Sequence, residues 1–398
     1  MTWKKNFIVV ILCLILFGLN GPIYRHTDAN TGLDANQPPS VDLTYTPTNP
    51  TDMDLVQFQD NSFDTDGWIV AWIWYFGDGN SSILQNPNHK YSDNGIFQVS
   101  LTVIDNNGTL NTTTKTITIL NVPPVADCGE DRYVNEHVLL LNASQSYDSD
   151  GEIINYTWVI NETQRYYGKN INYTFYDDGT YSVSLTVTDN DGENDSDRCI
   201  LIVDTQPPVT FMTITGEKGA NNWYIENVTV VLNTTDKTSG IKHIKYRLDN
   251  GIWYRYNKPF SISLQGKHTL SYYTMDNAHN IEEERVVSIN IDKTNPSVKI
   301  SQPKENYLYL LNRIRWPIPE NTVIIGPILI NIEARDKEAG IERAEFYVDN
   351  TLSYLTKELP YSWALDEPCL GRYKLMTILY DKSGRQSSNE IDIIALIL

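Results

Sequence analysis

The stretch Ser62 to Gly79, SFDTDGWIVAWIWYFGDG, constrains this chain more than any other because it returns at a fixed distance. Asp64, Asp66 and Gly67 precede Trp72, Trp74 and Phe76, three aromatics at alternate positions. A period of two puts them on one face of a strand. Gly77-Asp78-Gly79 then supplies the positive φ that a tight hairpin turn needs. Eighty-four residues on come Ser146, Asp148, Asp150 and Gly151, followed by Tyr156, Trp158 and Ile160. A turn-and-strand unit repeated at constant spacing marks an array of domains.

Proline divides that array. Pro38-Pro39, Pro123-Pro124, Pro207-Pro208 and Asn295-Pro296 each stiffen the entry to a module and cannot donate to a strand ladder. The 398 residues therefore read as four modules: 38–121, 122–205, 206–294 and 295–398. With 25 tyrosines, 9 tryptophans and many threonines and valines, and no long run with a 3.6-residue apolar period, the fold class is all-β. The last stretch, Ile391 to Leu398, is expected to be a sandwich strand, far too short to span a bilayer.

The first two modules align residue by residue. Phe97, Val99, Leu101 and Val103 alternate as Tyr181, Val183, Leu185 and Val187 do, and Asp105-Asn106-Asn107-Gly108 corresponds to Asp189-Asn190-Asp191-Gly192. With D-x-D-G-x-I at Asp64 to Ile69 and W-x-F-G-D-G at Trp74 to Gly79, they resemble PKD domains, immunoglobulin-like β-sandwich repeats of surface proteins and secreted hydrolases. The resemblance covers about Pro38 to Asp204 and implies an extracellular, non-catalytic role. The second copy has Asn161-Glu162-Thr163 where the family has Gly-Asp-Gly, so its hairpin must turn differently.

The remaining modules form a second type. Ser239-Gly240-Ile241 precedes Tyr246 and Asp249-Asn250; Ala339-Gly340-Ile341 precedes Phe346 and Asp349-Asn350. Asp276-Asn277-Ala278-His279-Asn280 and Asp381-Lys382-Ser383-Gly384-Arg385 follow. These modules are similar to Ig-like repeats of archaeal and bacterial exported proteins. Val323 to Ile328 (VIIGPI) points to an archaeal source, and an insertion carrying Trp316 is expected from about Glu305 to Asn321. The whole is expected to be a tandem array of four immunoglobulin-like sandwiches.

Two expectations rest on the immunoglobulin-like frame. Its first and last strands can lie side by side, which makes a Cys128–Cys199 disulfide sterically reasonable, two buried thiols being the alternative. Cys369 is left as a core thiol. The loops after the second and sixth strands emerge at one end, which would gather Asp64, Asp66 and Asp105 in one module and Asp148, Asp150 and Asp189 in the next. Some PKD domains bind calcium, and three converging carboxylates would repel one another without a hard cation. The alternative is Asx-type capping of turn amides without metal. Asp236/Asp276 and Asp336/Asp381 are looser pairs of the same kind.

Lys4-Lys5 followed by apolar Phe7 to Leu19 gives 1–22 the form of a secretory signal, an uncleaved anchor being the alternative; 23–37 reads as a flexible leader. Export would expose ten sequons, at Asn80, Asn107, Asn111, Asn142, Asn155, Asn161, Asn172, Asn194, Asn227 and Asn233. An Asn- and Thr-rich β protein also produces such triplets by chance.

A formal charge of −19 argues against a nucleic-acid partner. The sequence has no G-x-S-x-G, H-E-x-x-H, phosphate loop or dinucleotide fingerprint, and its six histidines lack metal-ligand spacing. No catalytic residue is assigned. Trp72, Trp74 and Trp158 are expected in cores, whereas Trp68, Trp223, Trp253, Trp316 and Tyr166-Tyr167 are the aromatics left for carbohydrate. The expected function is a secreted or cell-surface array mediating adhesion, spacing or protein contacts. A carbohydrate-binding accessory protein, or the non-catalytic part of a hydrolase system, is the alternative. Partners would be surface proteins or polysaccharide, with membrane contact only through the N-terminal segment.

Overall fold

The computed structural model describes residues 35–398. The expected signal at 1–22 and most of the leader at 23–37 lie outside the described residues. Every regular element among the described residues is a strand. The chain divides into a unit ending at Val122 and a unit from Pro123 to Leu398. The first contains one hydrophobic core and the second contains three.

In the first module a three-stranded sheet (Leu43–Thr46, Val56–Asp60, Asn88–His89) and a four-stranded sheet (Ser81–Ser82, Ile69–Tyr75, Gly95–Asp105, Leu110–Ile119) share a core. Strand alternation explains it: Val99, Leu101 and Val103 are buried while Ser100 and Thr102 are not. Trp74, fully buried, pairs with Leu101 across the ladder and packs on Phe58 at 5.5 Å. Its indole N–H donates to the carbonyl of Leu84 at 3.0 Å, which removes the penalty of burying a polar group. Trp72 is only half-buried; its indole donates to Asp60 Oδ2 at 2.6 Å.

The second module repeats the frame. Trp158 pairs with Leu185, is fully buried, and donates to the carbonyl of Gly168 at 3.0 Å. Its larger sheet runs Gln164–Tyr167, Ile153–Ile160, Gly179–Asp189, Asn194–Val203 and Arg132–Val134, the last pair parallel.

The third module packs a three-stranded sheet on a five-stranded one, and the fourth packs three strands on seven. Their Asp-Asn signatures are hairpin turns in which both residues have positive φ: Asp249 and Asn250 at 50° and 58°, Asp349 and Asn350 at 47° and 63°. Each aspartate then ties the turn to the long strand Gly266–Asp276 or Cys369–Asp381 through Oδ1, accepting from Thr269 N–H at 2.8 Å and Lys374 N–H at 2.7 Å. The stretch after Glu305 is a hairpin, Tyr307–Leu310 with Arg313–Pro317, extending the seven-stranded sheet. The chain's last strand is Gln386–Ile397, its alternate residues from Ile391 onward buried.

The first hairpin turns as expected, with positive φ at Gly77 and Gly79 and Phe76 N–H donating to the Asn80 carbonyl at 3.1 Å. One expectation needs correction. Trp223 is no free aromatic: it is 4% exposed, on the two-residue strand Trp223–Tyr224 beside Arg285–Ile291.

Candidate functional site: acidic turns of the sandwich ends

The D-x-D-G loops owe their glycine to a close approach. A Cβ on Gly67 would lie 2.1 Å from Asn106 Oδ1, and one on Gly151 would lie 2.3 Å from Asn190 Oδ1. Those oxygens accept the N–H groups of Trp68 and Glu152, each at 2.9 Å, tying the acidic loop to the turn after the long strand. This is the spacing signal that joins Asp64 to Asp105 and Asp148 to Asp189 in space.

Asp105, buried, accepts the N–H groups of Asn107 and Thr109 on Oδ1, each at 2.8 Å, and the Asn36 amide on Oδ2 at 2.8 Å. The Asn36 bond, followed by these amides, holds its carboxyl below the usual range despite burial. Asp66 Oδ2 accepts Gln37 N–H at 2.9 Å. Asn36 and Gln37, expected to belong to the leader, are thus held by the first module. Asp64 keeps a sheltered Oδ2 with no hydrogen-bond partner, and burial, then the neighbouring Asp66, pushes its carboxyl up. Asp189 repeats the capping of Asp105, accepting from Asp191 at 3.0 Å and Glu193 at 2.9 Å. Burial, then Asp150, pushes Asp148 up. Turn capping therefore accounts for much of Asp105 and Asp189, and leaves Asp64 and Asp148 as the carboxylates short of donors.

Among the described residues, oxygens from three carboxylates lie within 4.8 Å of one another at two places: Asp204 with Asp236 and Asp276, and Asp292 with Asp336 and Asp381. The loose pairs of the third and fourth modules are thus each completed by an aspartate directly after the preceding module's last strand. Asp204 and Asp292 were not singled out in the sequence. The signal was present, since each stands three or four residues before a boundary proline, Pro207 or Pro296. Asp204 Oδ2 accepts Ser239 N–H at 3.0 Å and Asp292 Oδ2 accepts Ala339 N–H at 3.2 Å, so the linker acid caps the turn ending in Gly240 or Gly340.

Cys128 and Cys199 are disulfide-bonded with Cα atoms 5.9 Å apart. Cys369 is free and half-buried, and burial pushes its thiol up. All ten sequon asparagines are exposed. Of the remaining aromatics, Trp68, Trp316 and Tyr167 are the exposed ones, at 66%, 59% and 73%; Tyr166 packs against the second core and Trp253 against Tyr273.

Residues 36–119 and 121–202 each match the PKD domain family. Over 111 residues the chain is 34% identical to collagenase ColA of Clostridium perfringens, a match covering 28% of this chain and 10% of that protein. It is 31% identical over 137 residues to the pre-pro-metalloprotease PrtV of Vibrio cholerae, covering 34% of this chain and 15% of that one. The chain thus spans only about 10–15% of the length of these curated relatives. Among solved structures, the PKD1 domain of Vibrio anguillarum Epp is 34% identical, with 21% of this chain and 96% of that one covered and a TM-score of 0.20. The chain is an all-β tandem array in which two PKD domains are followed by further immunoglobulin-like sandwiches.

Proposed function

We propose that this chain is an exported, non-catalytic array that spaces and presents contact surfaces outside the cell. The observation that carries the reading is the extent of the matches. The stretch shared with a collagenase and a metalloprotease is 10–15% of either relative, and the two PKD-matching stretches, 36–119 and 121–202, close their own cores. A part this small and self-contained serves a large enzyme as an accessory, and here two copies stand beside further sandwiches. Ten exposed sequons fit glycosylation on an exported protein. The sheltered Asp64 Oδ2, and its counterpart Asp148, support calcium at the two PKD loop ends, with Asp66, Asp105, Asp150 and Asp189 completing the acidic sets.

Polysaccharide is the second partner class, favoured by the exposed rings of Trp68, Trp316 and Tyr167. Purified chain is tested on gelatin, casein and polysaccharides for hydrolysis, and on surface extracts and a glycan array for capture. Saturable capture without hydrolysis is expected, and Trp68→Ala with Trp316→Ala removes glycan capture if those rings carry it. Turnover abolished by a single carboxylate substitution would replace the accessory reading with an enzymatic one.

A further inference from the structure

Most acids of the PKD loops are met by N–H donors, but at the foot of the fourth module one buried carboxylate is met on one oxygen only. Asp292 follows Arg285–Ile291, Asp336 follows Ile328–Arg335, and Asp381 ends Cys369–Asp381. Asp292 and Asp381 are 0% and 1% exposed, and Asp336 is half-buried. Asp292 Oδ1 accepts from the N–H and hydroxyl of Thr294, and Asp336 Oδ1 from Gly340 N–H. Asp381 Oδ1 accepts from the Ser383 hydroxyl at 2.6 Å and Arg385 N–H at 3.0 Å. Its Oδ2, shut away from water within the cluster, has no partner.

Among the described residues no cation answers these charges. Arg385 is closest at hand, yet its guanidinium donates to carbonyl oxygens: those of Asp292 at 3.3 Å, the Asn295 side chain at 3.2 Å and Ile225 at 2.6 Å. No ion pair among the described residues includes Asp292, Asp336 or Asp381. The matching cluster of the third module supplies a donor for the second oxygen. Asn280 stands where Arg385 does, and its amide donates to Asp276 Oδ2 at 2.9 Å, supplying the partner that Asp381 Oδ2 lacks.

We propose that Asp292, Asp336 and Asp381 bind a calcium ion. Calcium takes carboxylate oxygens at about 2.3–2.6 Å, so ligands on opposite sides stand about 4.6–5.2 Å apart, whereas magnesium spans only about 4.0–4.2 Å. The three oxygens all lie within 4.8 Å of one another, inside the reach of one calcium ion. One ligand comes from the end of the third module's last strand and two come from loops of the fourth, so the ion fastens one module to the next. The same loop already docks there: Ala220 N–H donates to the Ser383 carbonyl at 2.7 Å, and a Cβ on Gly219 would meet that oxygen at 2.1 Å.

Hydrogen exchange on the full chain, chelated and then titrated with calcium, tests this segment by segment. In the unmodified chain, calcium at ten times its Kd should slow exchange about tenfold at 219–225, 336–340 and 381–385. Asp381→Asn keeps the Oδ1 acceptor and the side-chain size but loses the charge. It should abolish the calcium response there, while in chelator it exchanges no faster than the unmodified chain. Asp336→Asn, at a half-buried position, should give the same loss if the first variant folds poorly. Unchanged exchange with millimolar calcium, a response that survives in both variants, or slowing by magnesium alone overturns the proposal. So does equal loss of protection with and without calcium, which would make Asp381 a turn cap and nothing more. The loops at 64–67 and 105–109 report separately, so failure of calcium binding in the PKD domains leaves this result legible.

Discussion

The two PKD domains have the same frame and fasten it by different means. By the 84-residue offset, Cys128 and Cys199 of the second correspond to Thr44 and Lys115 of the first. Where the second has a disulfide, the first has the Lys115 ammonium, which donates to the Leu43 carbonyl and stands 3.3 Å from Asp42. The hairpins diverge as well. Gly77 packs so tightly on Gln98 that a Cβ would lie 2.8 Å from its backbone N and O. Asn161, in the corresponding place, has φ of 48°, donates its N–H to the Ser182 carbonyl at 2.9 Å, and accepts Ser182 N–H on Oδ1 at 3.0 Å. What persists is the set of buried side chains and the loops they position. The ties at the periphery are exchangeable because different chemistry can close the same gap.

The largest effect should be common to both domains. Trp74→Ala and Trp158→Ala each delete a fully buried indole and orphan a carbonyl, for about 3–5 kcal/mol. Denaturant unfolding read by exchange in each domain checks this. A cost confined to one domain would show that the two tryptophans do not do the same job.

Next in size is the fastening that separates them. Closing 71 residues with Cys128–Cys199 stabilises the second domain by about 4 kcal/mol on the chain-entropy model. Lys115→Met removes a partly exposed ion pair worth at most about 1 kcal/mol. Reductant should therefore lower the melting of the second domain and leave the first in place. Equal sensitivity of the two, or none, would break the distinction.

The sequence made the frame readable because period-two alternation and burial are one and the same fact in a strand, as at Phe97 to Val103. The D-x-D-G loop was readable too, although the reason for its glycine, the Asn106 or Asn190 oxygen, belongs to tertiary contact. Asp204 and Asp292 escaped notice because a lone acid in a linker has no periodicity, and its partners lie 32 to 89 residues away. Trp223 escaped because a two-residue strand carries too little alternation to show which face is buried. Local patterns encode local structure, and sites assembled from three separate loops have no local pattern.

The smallest effect concerns a pair, Asp78 with His89, that the second domain lacks at the equivalent position. Asp78 is half-buried, which by itself raises a carboxyl. Donation from Asn80 N–H at 3.0 Å, its amide at 2.9 Å and His89 Nε2 at 2.7 Å outweighs burial and holds Asp78 below the usual carboxylate range. The imidazole is itself fixed, stacked on Phe76 at 4.1 Å and edge-on to Tyr91 at 4.7 Å. In the second domain the position of His89 is Tyr173, packed edge-on to Phe175 at 4.7 Å; its carboxylate–imidazole contact lies elsewhere, between His137 and Asp178 at 3.1 Å. A carboxyl depressed in the folded state contributes stability that is complete above its unfolded value, near pH 4, and is lost as pH falls through the folded value. Urea unfolding from pH 6 down to pH 2.5 should therefore show the first domain losing a component below about pH 4 that Asp78→Asn removes, at a cost on the order of 1 kcal/mol at pH 6. His89→Phe should remove part of the same component while keeping the stack on Phe76. If Asp78→Asn leaves the acid limb unchanged, the acid sensitivity lies in the Asp105 cap, and Asp105→Asn should then remove it.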